Sequence, residues 1–411
     1  MTDTIINYFL ALLVGFAFWA CEKAAPFTLP DQIGTPAELT AVLSDIQAAS
    51  GAPGFAVAVI RDDSTVYQHA FGWADLATGH AYSTETIQPI GSISKTFVAA
   101  AVVKAVEQGY FTLETDINDI LPVTIVNPHQ PGQVIRVRHL VTHTAGLLDA
   151  DEAYLQAYHI LPGEDTHGPG AMLLQDLGVG QRPAQPLADF LAGYYLPEGA
   201  HYAAANFSTA GAGLTWAYSN IATSLAAWLV ESVSGLAFDE YVQTYVFQPL
   251  AMQHSGYDQT ELPAGELATL YFDAHTPLPA YGNDSYPDGS VHTSCADLSK
   301  FLADMMAGAR GTSTTLFAAE SYATLFQPLL PDGLVPAEEG QNQGIFWFLG
   351  EDTIRHDGSD PGTTCELQFS RSGQTGYLLL TNMDASTMEH ALAYQALAER
   401  VRAAVALFAG S

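Results

Sequence analysis

The apolar positions near the start of the chain predict one helix followed by two strands. Between Thr35 and Ala49 apolar residues recur at helical spacing, and Thr35 followed by Pro36 is a typical helix start. Residues 53–60 form a continuous apolar run rich in β-branched residues, and residues 65–73 form a second run after a short polar turn. Runs of this length and composition, separated by a turn, predict two consecutive strands.

A short extended run, Ile87 to Ile90, leads into the segment around which the rest of the chain is organised. Residues Gly91 to Phe97 open a long, alanine-rich apolar stretch that predicts a buried helix reaching Gln108. Gly109 suits the end of this helix, because glycine tolerates the left-handed conformation that a C-cap needs.

The remaining chain has an irregular and helical middle and a strand-rich end. Residues 149–215 are rich in Gly, Pro, Ala and Tyr, and long structured insertions of this kind often line a binding site. Their aromatic residues predict either such a wall or a small core of the insertion itself: Tyr194, Tyr195, Tyr202, Phe207 and the following Trp216. Beyond them the pattern predicts helices at 221–233, 238–246 and 297–306, strands at 345–349, 353–356, 365–370 and 377–381, and a closing helix at 388–407.

Composition and charge narrow the class of protein and its partners. The chain has 411 residues, of which 48% are hydrophobic, so it is globular with a large core. Its net charge of −31 would repel nucleic acid and anionic membrane surfaces, which excludes both as expected partners. The chain has only four lysines, so Lys95 is not one of many surface lysines.

The N-terminus predicts export. An apolar run from Ile5 to Ala20 has the length of a signal-peptide core and is short for a membrane span. Ala20 followed by Cys21 resembles a lipoprotein processing site, which predicts residues 1–21 as a signal peptide and Cys21 as the lipidated first residue of the mature chain. The expected location is the periplasm, with or without membrane anchoring through that lipid.

Two pairs of residues raise the questions of a metal site and of a disulfide bond. His139 and His143 stand at helical spacing, but no third ligand is near in sequence, so we expect no metal site and no cofactor. Cys295 and Cys365 could form a disulfide in an oxidising compartment or remain buried thiols.

Ser92 and Lys95 carry the clearest chemistry in the sequence. They stand three residues apart, so their side chains share one face of a helix and can meet. A serine hydroxyl needs a base before it becomes a good nucleophile, and a partly desolvated lysine loses its preference for the charged form. Ser92 also stands at the helix entrance, where free N–H groups favour developing negative charge.

Two further motifs complete a pattern with a known resemblance. Tyr218-Ser219-Asn220 and His356-Asp357-Gly358 follow Ser92-x-x-Lys95 in order. This set resembles the serine β-lactamase and penicillin-recognising D-alanyl-D-alanine carboxypeptidase superfamily, in its class C-like branch and its His-x-Gly form. The resemblance extends from about residue 35 to the end and includes three flanking blocks, at 138–147, 286–289 and 356–362.

The resemblance implies an α/β (α+β) fold, in which helices flank an antiparallel sheet. Residues 30–109 and 290–411 would form the α/β domain, and residues 110–289 an inserted, mostly helical domain. The active site would lie in the cleft between the two. The strands and helices predicted from the apolar pattern agree with this division.

The resemblance also implies a role for each motif residue. Ser92 would be the nucleophile. Lys95 and Tyr218 would together act as the general base, either through a tyrosinate or through a neutral lysine. Asn220 would hold the substrate's amide, and the N–H groups of Ser92 and Ser359 would form the oxyanion hole. The strand bearing His356, Gly358 and Ser359 would contact the substrate.

His356 stands where relatives of the β-lactamase branch usually carry lysine. We expect it to bind a substrate carboxylate as an imidazolium; the alternative is a neutral imidazole that hydrogen-bonds to Tyr218 or Lys95. The predicted function is a serine hydrolase of small amides or esters, such as D-alanyl-D-alanine peptides or β-lactams. The alternative is a binding or scaffolding module that keeps the fold without turnover. These motifs imply no particular oligomeric state.

Overall fold

The computed structural model describes residues 28–62 and 64–410 of the chain. The predicted signal peptide, residues 1–21, and the predicted lipidation site Cys21 lie outside these ranges. The helices are α1 Pro36–Ser50, α2 Lys95–Glu107, α3 Val137–Val141, α4 Asp151–Leu155, α5 Pro169–Asp176, α6 Leu187–Tyr195, α7 Asn220–Ser234, α8 Phe238–Val242, α9 Cys295–Ala309, α10 Ala319–Phe326 and α11 Met388–Ala409.

The longer strands lie near the two ends of the chain, and short strands lie between them in sequence. They are β1 Gly54–Arg61, β2 Ser64–Asp75, β3 His80–Ala81, β4 Ile87–Pro89, β5 Tyr158–Ile160, β6 Tyr271–Asp273, β7 Thr276–Pro277, β8 Tyr281–Asn283, β9 His292–Ser294, β10 Asn342–Gln343, β11 Phe348–Leu349, β12 Thr353–Asp360, β13 Thr363–Ser370 and β14 Thr375–Thr381.

One eight-stranded antiparallel sheet forms the centre of the fold. Its strand order is β10-β11-β12-β13-β14-β1-β2-β3, so strands from both ends of the chain meet where β14 pairs with β1. This confirms the predicted class of an antiparallel sheet flanked by helices. Most of the short helices lie between the two halves of the sheet in sequence. The domain boundaries near residues 109 and 290 stay a prediction.

The strand β1 is apolar throughout because both of its faces are covered. Phe55, Val57 and Val59 pack with α1 and α11 on one face. Ala56 and Ala58 join the larger core on the other face, which also contains α2, α7 and α9. A strand covered on both sides needs apolar residues at every position, which explains why this run shows no alternation.

Local signals in the sequence account for the helix ends. Thr35 accepts a hydrogen bond from the N–H of Glu38, whose carboxylate reaches back to the N–H of Thr35, a capping box at the start of α1. Gly109 follows the end of α2 with a φ of 78°. One predicted strand is shorter than expected, because Phe346 has a φ of 55° and interrupts the run, leaving only Phe348–Leu349 as β11.

Cys295 and Cys365 are both buried free thiols, which excludes the disulfide alternative in this structure. Within the described ranges, no single helix has the length and apolar character to cross a membrane. The bent pair Asn220–Ser234 and Phe238–Phe247, with an angle of 79° between its helices, meets the length and composition criteria together.

Candidate active site

The predicted nucleophile Ser92 lies in a tight turn that precedes α2 in sequence and packs against β12. Residues Gly91–Ser94 form a 3-10 turn that runs directly into α2. Gly91 has a φ of 51°, and a Cβ at this position would lie 2.6 Å from the backbone nitrogen of Ser359. Because only glycine accepts both this φ and this close approach, the turn can press its backbone against β12. Ser92 remains partly exposed.

Lys95 is fully buried beside Ser92 at the start of α2. Its Nζ lies 3.0 Å from Ser92 Oγ, 2.7 Å from Asn220 Oδ1 and 2.8 Å from the carbonyl oxygen of Asp288. Burial lowers the pKa of Lys95, and the nearby carboxylates, that of Asp288 foremost, oppose the shift without cancelling it. Lys95 is therefore more readily deprotonated than a surface lysine.

The three neighbours of Lys95 Nζ differ in their hydrogen-bonding capacity. The oxygens from Asn220 and Asp288 can only accept, whereas the hydroxyl of Ser92 can accept or donate. An ammonium would donate all three bonds. A neutral amine would donate two and accept the third from Ser92. The geometry fits both charge states, and the contact that distinguishes them is the one with Ser92.

Tyr218 is the second predicted base residue that the structure brings to Ser92. The hydroxyl of Ser92 is close enough to the phenol to affect its pKa, and the centroid of the Tyr218 ring lies 5.0 Å from Lys95 Nζ. His143 and Phe348 pack around the ring, with centroids 4.5 and 6.3 Å away. Burial in these surroundings raises the pKa of Tyr218 well above its usual value, and the neighbouring hydroxyl of Ser92 only partly opposes the shift. At neutral pH the side chain is therefore a phenol.

Asp149 orients the side-chain amide of Asn220, whose oxygen contacts Lys95 and whose nitrogen contacts Asp149. Its Oδ2 accepts hydrogen bonds from Asn220 Nδ2 at 2.9 Å and from the backbone N–H of Asn220 at 2.7 Å. Its Oδ1 accepts from Ser219 Oγ at 2.6 Å and from the N–H of Ile221 at 3.2 Å. A carboxylate at the start of α7 satisfies free N–H groups there. It also fixes the Asn220 amide so that Oδ1 faces Lys95.

His356 is placed differently from our expectation. The imidazole is 1% exposed, its Nδ1 contacts the carbonyl oxygen of Asp357 at 2.8 Å, and its ring lies against Phe348 with centroids 5.1 Å apart. Burial, reinforced by the charge of Lys95, lowers the pKa of His356 to about 3. The expected imidazolium is thus replaced by a neutral imidazole, whose buried Nε2 has no hydrogen-bond partner in the described residues.

Gly358 and Ser359 bring the backbone of β12 to the nucleophile turn. A Cβ at Gly358 would lie 2.0 Å from the carbonyl oxygen of Ile90, so only glycine lets the strand pass the turn at this distance. Ser359 is exposed, and its backbone nitrogen is the atom that approaches Gly91. This proximity is compatible with the predicted oxyanion hole, which stays a prediction.

The histidines considered as metal ligands have separate local contacts. His139 Nδ1 accepts the N–H of Arg136 at 3.1 Å at the start of α3, and His143 Nδ1 accepts the N–H of Ser219 at 3.3 Å. Across residues 28–62 and 64–410, no group of three or more His, Cys, Asp or Glu side chains could hold a metal ion. His143 instead supports the ring of Tyr218.

Some aromatic residues of the insertion belong to the core, and one lies beside the site. Tyr194, Tyr195 and Phe207 are buried in the core. Trp216 lies beside the site, with its ring centroid 6.4 Å from that of Tyr218, and its indole N–H donates to Gln343 at 2.6 Å.

Three carboxylates near Lys95 were missed at the level of sequence, namely Asp149, Asp288 and Asp360. Asp288 is buried, and its carboxylate accepts hydrogen bonds from Tyr154 at 2.7 Å and from Ser285 at 2.7 Å. Burial raises its pKa, and Lys95 opposes the shift. Asp288 and Asp360 belong to the flanking blocks of the resemblance at 286–289 and 356–362, which was the available signal, and Asp149 lies two positions after the block at 138–147.

Comparison with known proteins places the chain in a family. Residues 39–402 match the family model described as Beta-lactamase. Bacillus subtilis PbpX, which bears the name of a penicillin-binding protein, is 23% identical over 333 residues, covering 79% of this chain and 69% of that protein. A D-aminopeptidase of Brucella anthropi is 29% identical over 201 residues, which is 49% of this chain and only 32% of the relative.

The fold is shared with a solved class C β-lactamase. That structure aligns with a TM-score of 0.62 at 16% identity and covers 90% of this chain and 96% of its own. The family match takes in most of the chain, including every predicted site residue from Ser92 to Ser359. This protein therefore belongs to the Beta-lactamase family of serine hydrolases.

Proposed function

We propose that this protein hydrolyses small amides or esters through an acyl-enzyme on Ser92. The observation that carries the proposal is the environment of Lys95 Nζ, which has two neighbours that only accept hydrogen bonds and one, Ser92, that can also donate. Neutral Lys95 is held by the first two neighbours in a position to take the proton of the third. D-alanyl-D-alanine peptides, β-lactams and simple esters are the candidate substrates.

The first half-reaction forms the acyl-enzyme. As Ser92 Oγ bonds to the carbonyl carbon of the substrate, its proton passes to Lys95, and negative charge develops on the carbonyl oxygen. The N–H groups of Ser92 and Ser359 would bind that oxygen, each contributing ~3 kcal/mol in the transition state. The bond to the leaving amine or alcohol then breaks.

The phenol of Tyr218 suits the second proton transfer. With a raised pKa it keeps its proton at neutral pH, so it can donate that proton to the departing nitrogen or oxygen and regain one from protonated Lys95. The two pKa shifts together favour the neutral-lysine route over a tyrosinate. Water then attacks the acyl carbon and releases the acid, which returns Ser92 to its hydroxyl form.

Labelling with a fluorophosphonate tests the proposal directly. The reagent should add one phosphonyl group to the native chain, and peptide mapping should place it on Ser92. Ser92→Ala and heat-unfolded protein are the controls, and neither should be labelled. Labelled penicillin, run in parallel, reports whether β-lactams are among the acylating substrates. Native protein without a mass shift under either reagent would favour the non-catalytic binding module.

A further inference from the structure

Asp288 is a buried carboxylate that takes no part in the proton transfers described above. The residue is 1% exposed. Its Oδ1 accepts a hydrogen bond from Tyr154 at 2.7 Å, and its Oδ2 accepts from Ser285 at 2.7 Å and from Ser224 at 3.2 Å. Hydrogen bonds donated to a carboxylate favour its charged form, which opposes the effect of burial. A negative charge held in this way inside the protein requires a positive partner.

The positive partner nearest in structure is Lys95, which Asp288 also holds through its backbone. The carbonyl oxygen of Asp288 lies 2.8 Å from Lys95 Nζ, and the other two hydrogen bonds of Nζ go to Ser92 and Asn220. The carboxylate therefore acts on Nζ through its charge, while the carbonyl of the same residue fixes the position of Nζ. One residue thus sets both the place of the base and the electrostatic field at it.

Three carboxylates act on the charge of Lys95. Burial lowers its pKa, and the carboxylates oppose the shift, in decreasing order of effect those of Asp288, Asp149 and Asp360. The other titratable side chains that face Lys95 are neutral at pH 7, because burial lowers the pKa of the two histidines and raises that of the phenol: His143, His356 and Tyr218. Lys95 is therefore surrounded by neutral and negative groups.

The titratable groups around Asp288 single out Lys95 as its counter-ion. Burial raises the pKa of Asp288, and the charge of Lys95 opposes this shift. Burial also raises the pKa of the phenols that face Asp288, so these remain neutral: Tyr154, Tyr158, Tyr218 and Tyr257. The nearby carboxylates, Asp149 and Asp360, have the same sign of charge as Asp288, and each has its pKa raised by burial and further by Asp288.

The other two carboxylates are less suited to compensate Lys95. Asp149 is engaged by four donors at the start of α7. Asp360 accepts a hydrogen bond from Tyr158 at 2.6 Å, and burial raises its pKa to about 7, so it is only partly charged at neutral pH. Asp288, with three hydroxyl donors and the largest effect on Lys95, is the group that remains.

We propose that the Asp288 carboxylate is the counter-charge of protonated Lys95, a positioning residue that stabilises the ammonium formed during acylation. This rests on the proposed function, because it assumes that the proton of Ser92 Oγ moves to Lys95 Nζ. Asp288 neither gives nor accepts a proton in this step. Its fixed charge lies in a buried site, where an opposite charge that is already in place stabilises the developing ammonium strongly.

Asp288→Asn removes the charge and keeps the shape of the side chain. The amide oxygen can still accept from Tyr154, and the serine hydroxyls beside the new NH2 group can turn to accept from it. Asp304→Asn is the matched control. Asp304 is also a buried aspartate that accepts from a tyrosine and a serine, Tyr322 at 2.6 Å and Ser313 at 2.5 Å, but it lies on α9, which carries none of the candidate site residues.

Nuclear magnetic resonance of the lysine side chains measures the charge of Lys95 without turnover. The full-length chain, with carbon-13 at lysine Cε, should give few signals because it has four lysines, and the signal missing from Lys95→Ala is that of Lys95. In Asp288→Asn the titration midpoint of Lys95 should lie at least about one pH unit below the native midpoint, because an ammonium without its counter-charge loses its proton more easily. Asp304→Asn should keep the native midpoint.

The pH profile of single-turnover acylation gives the functional readout. In Asp288→Asn the acid limb should move to lower pH together with the Lys95 midpoint, and the rate above the limb should fall about threefold or more, because a weaker base takes the proton of Ser92. A merely structural role would lower the rate without moving the limb. Asp304→Asn should leave the position of the limb unchanged.

Each outcome decides the proposal. A Lys95 midpoint in Asp288→Asn that equals or exceeds the native one would overturn it, as would the same shift in Asp304→Asn. Asp288→Ser removes the charge with a smaller side chain and takes the place of Asp288→Asn if that variant fails to fold. If the fluorophosphonate does not label Ser92 but the midpoint moves, the catalytic proposal fails and the charge coupling stands. Labelled Ser92 with an unmoved midpoint leaves catalysis and removes the role of Asp288.

Discussion

Asp149 provides the sharpest test of how the site is held together, because its carboxylate accepts four hydrogen bonds at the start of α7. Their donors are Ser219 Oγ, both nitrogens of Asn220 and the N–H of Ile221, at 2.6 to 3.2 Å. In Asp149→Asn the side chain keeps its shape, but one oxygen becomes an NH2 group that faces N–H donors. About two of the four contacts are lost.

The structure gives the expected size of the effect. A hydrogen bond to a charged group contributes ~1.5–3 kcal/mol, but burial disfavours the charged form of Asp149, so the lower end applies to each lost contact. We therefore expect the free energy of unfolding to fall by about 3 kcal/mol. Release of the Asn220 amide should also slow acylation about ten- to a hundredfold, since Asn220 Oδ1 would no longer be held toward Lys95.

Urea unfolding and single-turnover acylation of an activated ester measure the two effects separately. Thr387→Ala is the matched control, because Thr387 caps α11 through the N–H of His390 at 3.2 Å and lies on a different helix from the site. It should lower stability by ~1 kcal/mol and leave acylation unchanged. An acylation rate in Asp149→Asn within about twofold of the native rate would show that Asp149 is a helix cap alone and would refute the positioning role.

Lys95→Ala and Tyr218→Phe should each slow acylation by ~10² or more in single-turnover assays, and the double variant should lose far less than the product of the two, because both residues serve one proton-transfer path to Ser92. His356 should remain neutral above its pKa of about 3, so kcat/KM for an acidic and a neutral ester should follow parallel pH profiles through the usual titration range of histidine. In the native host, mass spectrometry of the membrane fraction should find a chain that begins at a lipidated Cys21.

Each of these expectations has a contrary result. Strictly multiplicative losses in the double variant would mean that Lys95 and Tyr218 act in independent steps. An acidic substrate that alone loses kcat/KM as pH rises would restore the imidazolium role of His356. A cytosolic chain that still begins at Met1 would exclude export.

The parts of the site that could be predicted from sequence are those in which local spacing carries the information. Ser92 and Lys95 meet because three residues of a helical turn bring them together, and Thr35 and Gly109 bound their helices for reasons contained in a few neighbouring residues. The unbroken apolar run that becomes β1 likewise predicted a strand, and the structure shows that both of its faces are buried.

The parts that could not be predicted depend on packing between distant segments. Asp149 meets Asn220 from 71 positions away, and Lys95 meets Asp288 from 193 positions away. The pattern around each aspartate is that of an ordinary turn or loop. His356 shows the same limit: the motif indicated a strand that would contact the substrate, but not that Phe348 and the body of the protein would bury the imidazole and remove its charge.

Burial acts in the same direction on Lys95 and His356, yet the two shifts have opposite chemical consequences. It makes Lys95 available as a neutral amine beside Ser92, and it removes from His356 the positive charge that would have attracted a carboxylate. A site whose lysine is engaged with Ser92, Asn220 and Asp288, and whose histidine is neutral, has little positive charge to offer an anionic substrate.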